Sequence, residues 1–166
     1  MNRGSLNVNR RLLTVDYKDF IFDFERLEVY KLALDFVSNV FNITSTLPWE
    51  LQHSLGDNFR RAVLSIVNNI AEGSGKISLK EKKHYYKIAH TSDRECIPMI
   101  TLLKRRNLID FQTYDYLRNS CIRISCMVFK LEESVGKQYE NKTVVHDKRI
   151  RKAVNGERCT VNELKE

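Results

Sequence analysis

The chain has 166 residues, 42% of them hydrophobic, with only 2 Pro and 6 Gly. That describes one domain with a real core, built from long regular elements rather than from turns. No run of apolar residues is long enough to expect a transmembrane helix, and the net charge of +7 favours polyanionic partners over cationic ones.

The charge sits mostly at the ends: residues 1–22 carry +2 and residues 137–166 carry +3, against +2 for the whole of 23–136. The opening MNRGSLNVNRRLLTVDY has no apolar h-region and no small-residue cleavage site, so no signal peptide is expected and the cytoplasm is the default compartment. The cysteines agree with a reducing compartment. Cys96, Cys121 and Cys126 fall inside helical patterns and Cys159 in a polar tail, without the close pairing of a zinc site.

Residues 1–21 read as a flexible arm with a basic pair, Arg10-Arg11, and the hydrophobic run Ile21 to Phe24 is expected to dock on the edge of the domain. A first helix is predicted from about Asp23, as N-cap, to Thr44. It carries two seams, Leu27/Tyr30/Leu34/Val37/Phe41 and Ala33/Phe36/Val40/Ile43, which is more apolar face than one bundle needs. Pro48 closes it and opens the second helix. There Leu51, Leu55, Phe59, Ala62, Ile66 and Ile70 recur at three- and four-residue steps, and Gly73 and Gly75 read as the stop.

Ser78 and Glu81 read as a capping box for a third helix, about Leu79 to Arg106, with the seam Tyr85, Ala89, Ser92, Cys96, Met99 and Leu103. Pro98 lies inside it and is expected to kink it near Arg94. After a turn over Asn107 to Asp110, a fourth helix covers about Phe111 to Lys137 on Tyr114, Leu117, Cys121, Ile124, Val128, Leu131 and Val135. Four amphipathic helices joined by short links predict an all-α, antiparallel up-down-up-down four-helix bundle over residues 22–137, and 138–166 reads as a disordered basic tail.

No catalytic constellation accompanies this architecture. Glu81 and His84 form a single E-x-x-H, whereas a di-iron bundle needs two, with further inward glutamates. His53, His84, His90 and His146 are scattered, and no zincin motif, P-loop or nucleophile elbow occurs. None of the four has an arginine at the short upstream spacing used by helical ribonucleases. The expectation is therefore no enzyme, no metal and no cofactor.

Two polar features stand out. Arg61, Asn69 and Glu72 on the second helix predict a structural polar network that fixes helix register. On the third helix Lys80, Lys83, Lys87, His90 and Arg94 step by three or four, opposite the Tyr85/Ala89/Ser92 seam, and Lys104-Arg105-Arg106 extend the charge. Such a stripe suits the phosphates of a nucleic acid, an acidic protein, or plain solvent. Tyr86 is the aromatic beside it that could stack on a base.

Three segments carry a family resemblance: F-x-x-L-x-V-Y-x-x-A (Phe24 to Ala33), R-R-A-x-x-S-I-x-x-N-I-A-E-G (Arg60 to Gly73) and I-A-x-x-S-x-x-E (Ile88 to Glu95). With these the chain resembles the four-helix bundle proteins encoded in intervening sequences of bacterial 23S ribosomal RNA genes, over about residues 22–135. Family members usually have proline where this chain has Val67. The resemblance, and its similarity in architecture to the accessory proteins of diversity-generating retroelements, implies a homo-oligomer, pentameric in that case, associated with RNA or a ribonucleoprotein. It supplies no catalytic residues.

The function expected from all this is a non-catalytic scaffold, not bound to membrane, that takes RNA on Lys80, Lys83, Lys87 and Arg94. Arg60, Lys148, Arg149, Arg151 and Lys152 would be auxiliaries. The competing readings are an adaptor for an acidic protein and, behind it, a helical nuclease.

Overall fold

The computed structural model describes the backbone of residues 20–154 and the side chains of 20–137. The arm over 1–19 and the end of the tail over 155–166 lie outside the described residues. Four long helices form an all-α bundle: α1 (Glu28–Ser45), α2 (Asp57–Gly75), α3 (Leu79–Arg105) and α4 (Phe111–Val154). Among the described residues there is no strand, and no helix is long and apolar enough to cross a membrane. Each helix packs on the next in sequence, and α1 also meets α4.

The core follows from the seams. In α2 Phe59, Ala62, Val63, Ile66, Val67 and Ile70 are all buried, and in α4 Leu117, Cys121, Ile124, Val128 and Val135 are. Each large apolar side chain among them removed from water contributes about 1.5–3 kcal/mol. In α1 the second seam forms the buried core face, while Leu27, Tyr30 and Val37 of the first are partly buried and packed against it. Val29, Ala33, Phe36 and Val40 are buried, and Phe36 meets Phe59 edge-on at 6.2 Å between ring centroids. Leu34 and Phe41, from the other seam, stay exposed.

Four boundaries differ from expectation, each for a local reason. Asp23 caps no α-helix: it opens a 3-10 turn (Asp23–Arg26), and α1 begins after an extended Leu27. The Phe22 amide donates to Glu25 Oε2 at 2.7 Å, and Phe20, Phe22, Phe24 and Tyr30 pack ring on ring in succession, so the aromatic run makes its own turn.

The second difference lies ahead of α2. A helical turn (Trp49–Leu51) is followed by a π-helical segment (Gln52–Gly56). Gln52 explains it. Its side-chain amide donates to the Leu47 carbonyl at 2.7 Å, and its own carbonyl accepts from Arg60 Nη2 at 3.0 Å. These bonds hold the extra residue that a π-turn contains.

Third, Gly73 lies inside α2 and does not stop it; Gly75 is the last helical residue, followed by an extended Lys76. Gly73 is needed for space: a Cβ there would lie 2.7 Å from Tyr86 Cε1. Fourth, α4 runs on as helix through Val154, beyond the expected end at Lys137. No Gly or Pro lies between 137 and 155 to break it. The caps of α3 and α4 are plain: Ser78 accepts from the Glu81 amide at 3.4 Å, and Asp110 Oδ1 from the Thr113 amide at 2.7 Å. Asn107 adopts a left-handed φ of 54° in the turn between them.

Candidate nucleic-acid interface

The basic row is built by the frame of α3. Its buried residues are Tyr86, Ala89, Ser92, Asp93, Cys96, Ile100 and Leu103, a heptad-like set. That core face is rotated by roughly 40° from the seam through Tyr85, Ala89 and Ser92 expected from the sequence. Lys80, Lys83, Lys87 and Arg94 are all exposed, with His90 half-buried. Because the core face has turned, the row is not diametrically opposite it. It borders the groove between α3 and α4 instead, where Lys87, His90, Arg94, Phe129 and Glu132 line one open depression. None of the four cations forms an ion pair among the described residues.

Other expected site residues go elsewhere. Tyr86 is 4% exposed and cannot stack on a ligand. The exposed aromatic beside the row is Phe129, which periodicity alone does not single out. Arg60 is turned inward as a fold-holding residue. It pairs with Asp57 at 2.5 Å, donates to Thr44 Oγ1 at 2.9 Å and to the Gln52 carbonyl, and so ties the end of α1 to the start of α2. The same hydrogen bond holds the Asp57 carboxyl below its ordinary range. Lys148, Arg149, Arg151 and Lys152 lie in the last turns of α4, and their side chains are outside the described ones.

Arg61, Asn69 and Glu72 do not join into one network. Arg61 bonds Asn58. Asn69 donates to the Ser65 carbonyl at 2.7 Å and to its hydroxyl at 3.1 Å, and that hydroxyl meets Ser92 Oγ of α3 at 2.8 Å. Glu72 pairs with Lys76 at 2.5 Å, which lowers the Glu72 pKa and raises that of Lys76. Lys76 in turn sits over the Tyr85 ring, 4.9 Å from its centroid. The R-R-A-x-x-S-I-x-x-N-I-A-E-G segment is thus a set of separate packing devices: an inter-helix tie at Arg60, a serine relay at Ser65, and a space-saving glycine at Gly73.

Asp93, which no motif marks in the sequence, is the one buried charged-type side chain in the core among the described residues. It is 2% exposed, and its Oδ1 has no partner among the described residues. Burial pushes its pKa up to about 7, and the neighbouring Cys121 and Ser125 pull it back only in part. The Cys121 thiol is itself pushed up, by its bond with Cys96 first and by burial second. Cys96 and Cys121 are buried free thiols and Cys126 is an exposed one. Among the described residues no cluster of three or more His, Cys, Asp or Glu could hold a metal ion.

The family model described as 23S rRNA-intervening sequence protein matches residues 25–130, more than half of the chain. The protein belongs to this family. A solved structure with the same fold is a protein of unknown function from the S23 ribosomal protein family of Bacteroides thetaiotaomicron. It shares 22% identity at a TM-score of 0.59 and matches over 63% of this chain and 95% of that one. No curated protein matches. The matched span takes in all of α1, α2 and α3 and most of the core side of α4. The packing devices of α2 and the basic row therefore both lie within the family region.

Proposed function

We propose that this bundle is a non-catalytic cytoplasmic scaffold that binds RNA, or the RNA of a ribonucleoprotein, along α3. The observation that carries the reading is the row Lys80, Lys83, Lys87 and Arg94: exposed, on one helical face, and without carboxylate partners among the described residues. The row spans about 20 Å at about 1.5 Å per residue, long enough to meet several phosphates at once. Membership of the rRNA-intervening family agrees with an RNA partner.

Changing Lys80, Lys83, Lys87 and Arg94 together to glutamine should weaken binding to structured RNA at physiological salt by at least tenfold. The dependence of log affinity on log salt should flatten by roughly 0.9 for each phosphate the variant no longer neutralises. Binding titrations of both proteins over a salt series measure this. Equal affinity and equal slope would reject the reading and leave an adaptor for an acidic protein in the lead.

The scaffold assembles as a homo-oligomer in this proposal. Its support is Leu34 and Phe41, which stay exposed on the outer side of α1 while the rest of its two seams is buried or packed against the core. Light scattering over a concentration series should give a mass that is a multiple of the protomer's 19.5 kDa. A monomer throughout would end this part. An oligomer would multiply weak phosphate contacts through effective concentration.

A further inference from the structure

Phe129 gives the basic row something it would otherwise lack, a π-face open to solvent. It is 56% exposed on α4, yet it lines the same groove as Lys87, His90 and Arg94 of α3. The groove is about 580 Å³, enough for a base with its ribose. Lys87 and Arg94 are two helical turns apart, about 10 Å along the axis. A sugar–phosphate strand can follow these cations while one base turns inward onto the ring. Glu95 of α3 and Glu132 of α4 also line the groove. Neither forms an ion pair among the described residues. Carboxylates repel phosphate, but they accept hydrogen bonds from exocyclic amino groups, as on cytosine N4.

We infer that the α3–α4 groove is a subsite for an unpaired base of single-stranded nucleic acid. The base stacks on Phe129, with its phosphates on Lys87 and Arg94 and its amino edge toward Glu95 and Glu132. This rests on the nucleic-acid reading above and refines it from charge alone to stacking with a base preference. A duplex cannot use the subsite, because its bases are already stacked; it meets only the cationic row. Single strands use both, since stacking on an aromatic ring is open to every base. Among pyrimidines of similar stacking area, cytosine presents a donor to the carboxylates where uracil presents an acceptor, so cytosine is favoured.

The test uses the whole protein with fluorescent oligo(C) and oligo(U) of about 12 nucleotides, and a duplex RNA. The variants are Phe129→Leu, which keeps apolar bulk and removes the π-face, and Phe129→Tyr, which keeps the ring. Expected are tighter binding of oligo(C) than oligo(U), and a loss of about tenfold on both in F129L. F129Y should stay within about twofold of the native protein, and the duplex affinity should be unchanged in all three. Loss of single-strand and duplex binding together in F129L, or no loss at all, overturns the subsite while leaving the charged row standing. Oligo(U) bound as tightly as oligo(C) overturns the carboxylate edge. Failure of the native protein to bind any of the three overturns both the subsite and the function it rests on.

Discussion

Replacing Gly73 by alanine destabilises the bundle, whereas the same change two residues later, at Gly75, stabilises it. In a helix alanine normally gains about 0.5–1 kcal/mol over glycine, because it loses less backbone entropy on folding. Gly75 meets that condition: nothing lies within 4 Å of the added Cβ. At Gly73 the Cβ would stand 2.7 and 2.8 Å from Tyr86 Cε1 and Cδ1 and 3.2 Å from Tyr85 Cβ. Tyr86 is a buried ring and Tyr85 Cβ is fixed to its helix, so neither can yield without moving α3. Overpacking of this kind costs about 1–3 kcal/mol, which exceeds the entropic gain. A chain of this size shifts its Tm by about 2–4 °C per kcal/mol. Thermal melts should therefore move down by several degrees for G73A and up by one or two for G75A. Combining Gly73→Ala with Tyr86→Leu should cost less than the sum of the two, since the same ring edge is the obstacle. Equal upward shifts for G73A and G75A would show that the seam is looser than the distances imply.

What is readable in the chain and what is not divides along a physical line. The buried faces of α2 and α4 follow from three-four periodicity alone, because one amphipathic helix needs only its own residues to define an apolar side. The Ser78 cap is equally local. The π-helical segment is not legible. It depends on Gln52 reaching Leu47 and on Arg60 reaching Gln52 and Thr44, bonds that exist only once α1 lies alongside. Gly73 misleads for the same reason. A glycine near a helix end resembles a stop, and only the neighbouring helix shows that it makes room for a ring. The frame of α3 does carry a usable signal. Tyr86, Asp93 and Ile100 repeat at seven, as do Ala89, Cys96 and Leu103, and following that repeat, rather than the seam through Tyr85, places an aspartate in the core. Phe129 has no such signal. Whether an exposed residue of α4 stands beside the lysines of α3 depends on how the two helices are turned toward each other.

Asp93 makes stability fall as pH rises from about 4 to about 7, and Asp93→Asn removes that slope. The folded carboxyl titrates at about 7 because burial disfavours its charge, against an ordinary value of 3.8. Between those two pH values the native state holds a proton that the unfolded chain has released. Unfolding then releases protons, so stability decreases with increasing pH. The contribution is fully present below about pH 4, declines through the interval, and is gone above about pH 7. A gap of about three pKa units corresponds to roughly 4 kcal/mol. Asparagine has nearly the shape of the protonated acid and never charges. D93N should match the native protein near pH 4 and be more stable than it by a few kcal/mol at pH 8. Asp57, Glu72 and Asp110 act in the opposite sense. Their carboxyls are held low by Arg60, Lys76 and Thr113 respectively, and their contributions are lost only as pH falls below about 4. Their effects lie below the interval in which Asp93 acts. Urea denaturation of both proteins at pH 5, 6, 7 and 8 measures the difference directly. A native protein whose midpoint stays parallel to that of D93N over this range would mean that the Asp93 carboxyl finds a partner when charged and that the core tolerates the anion.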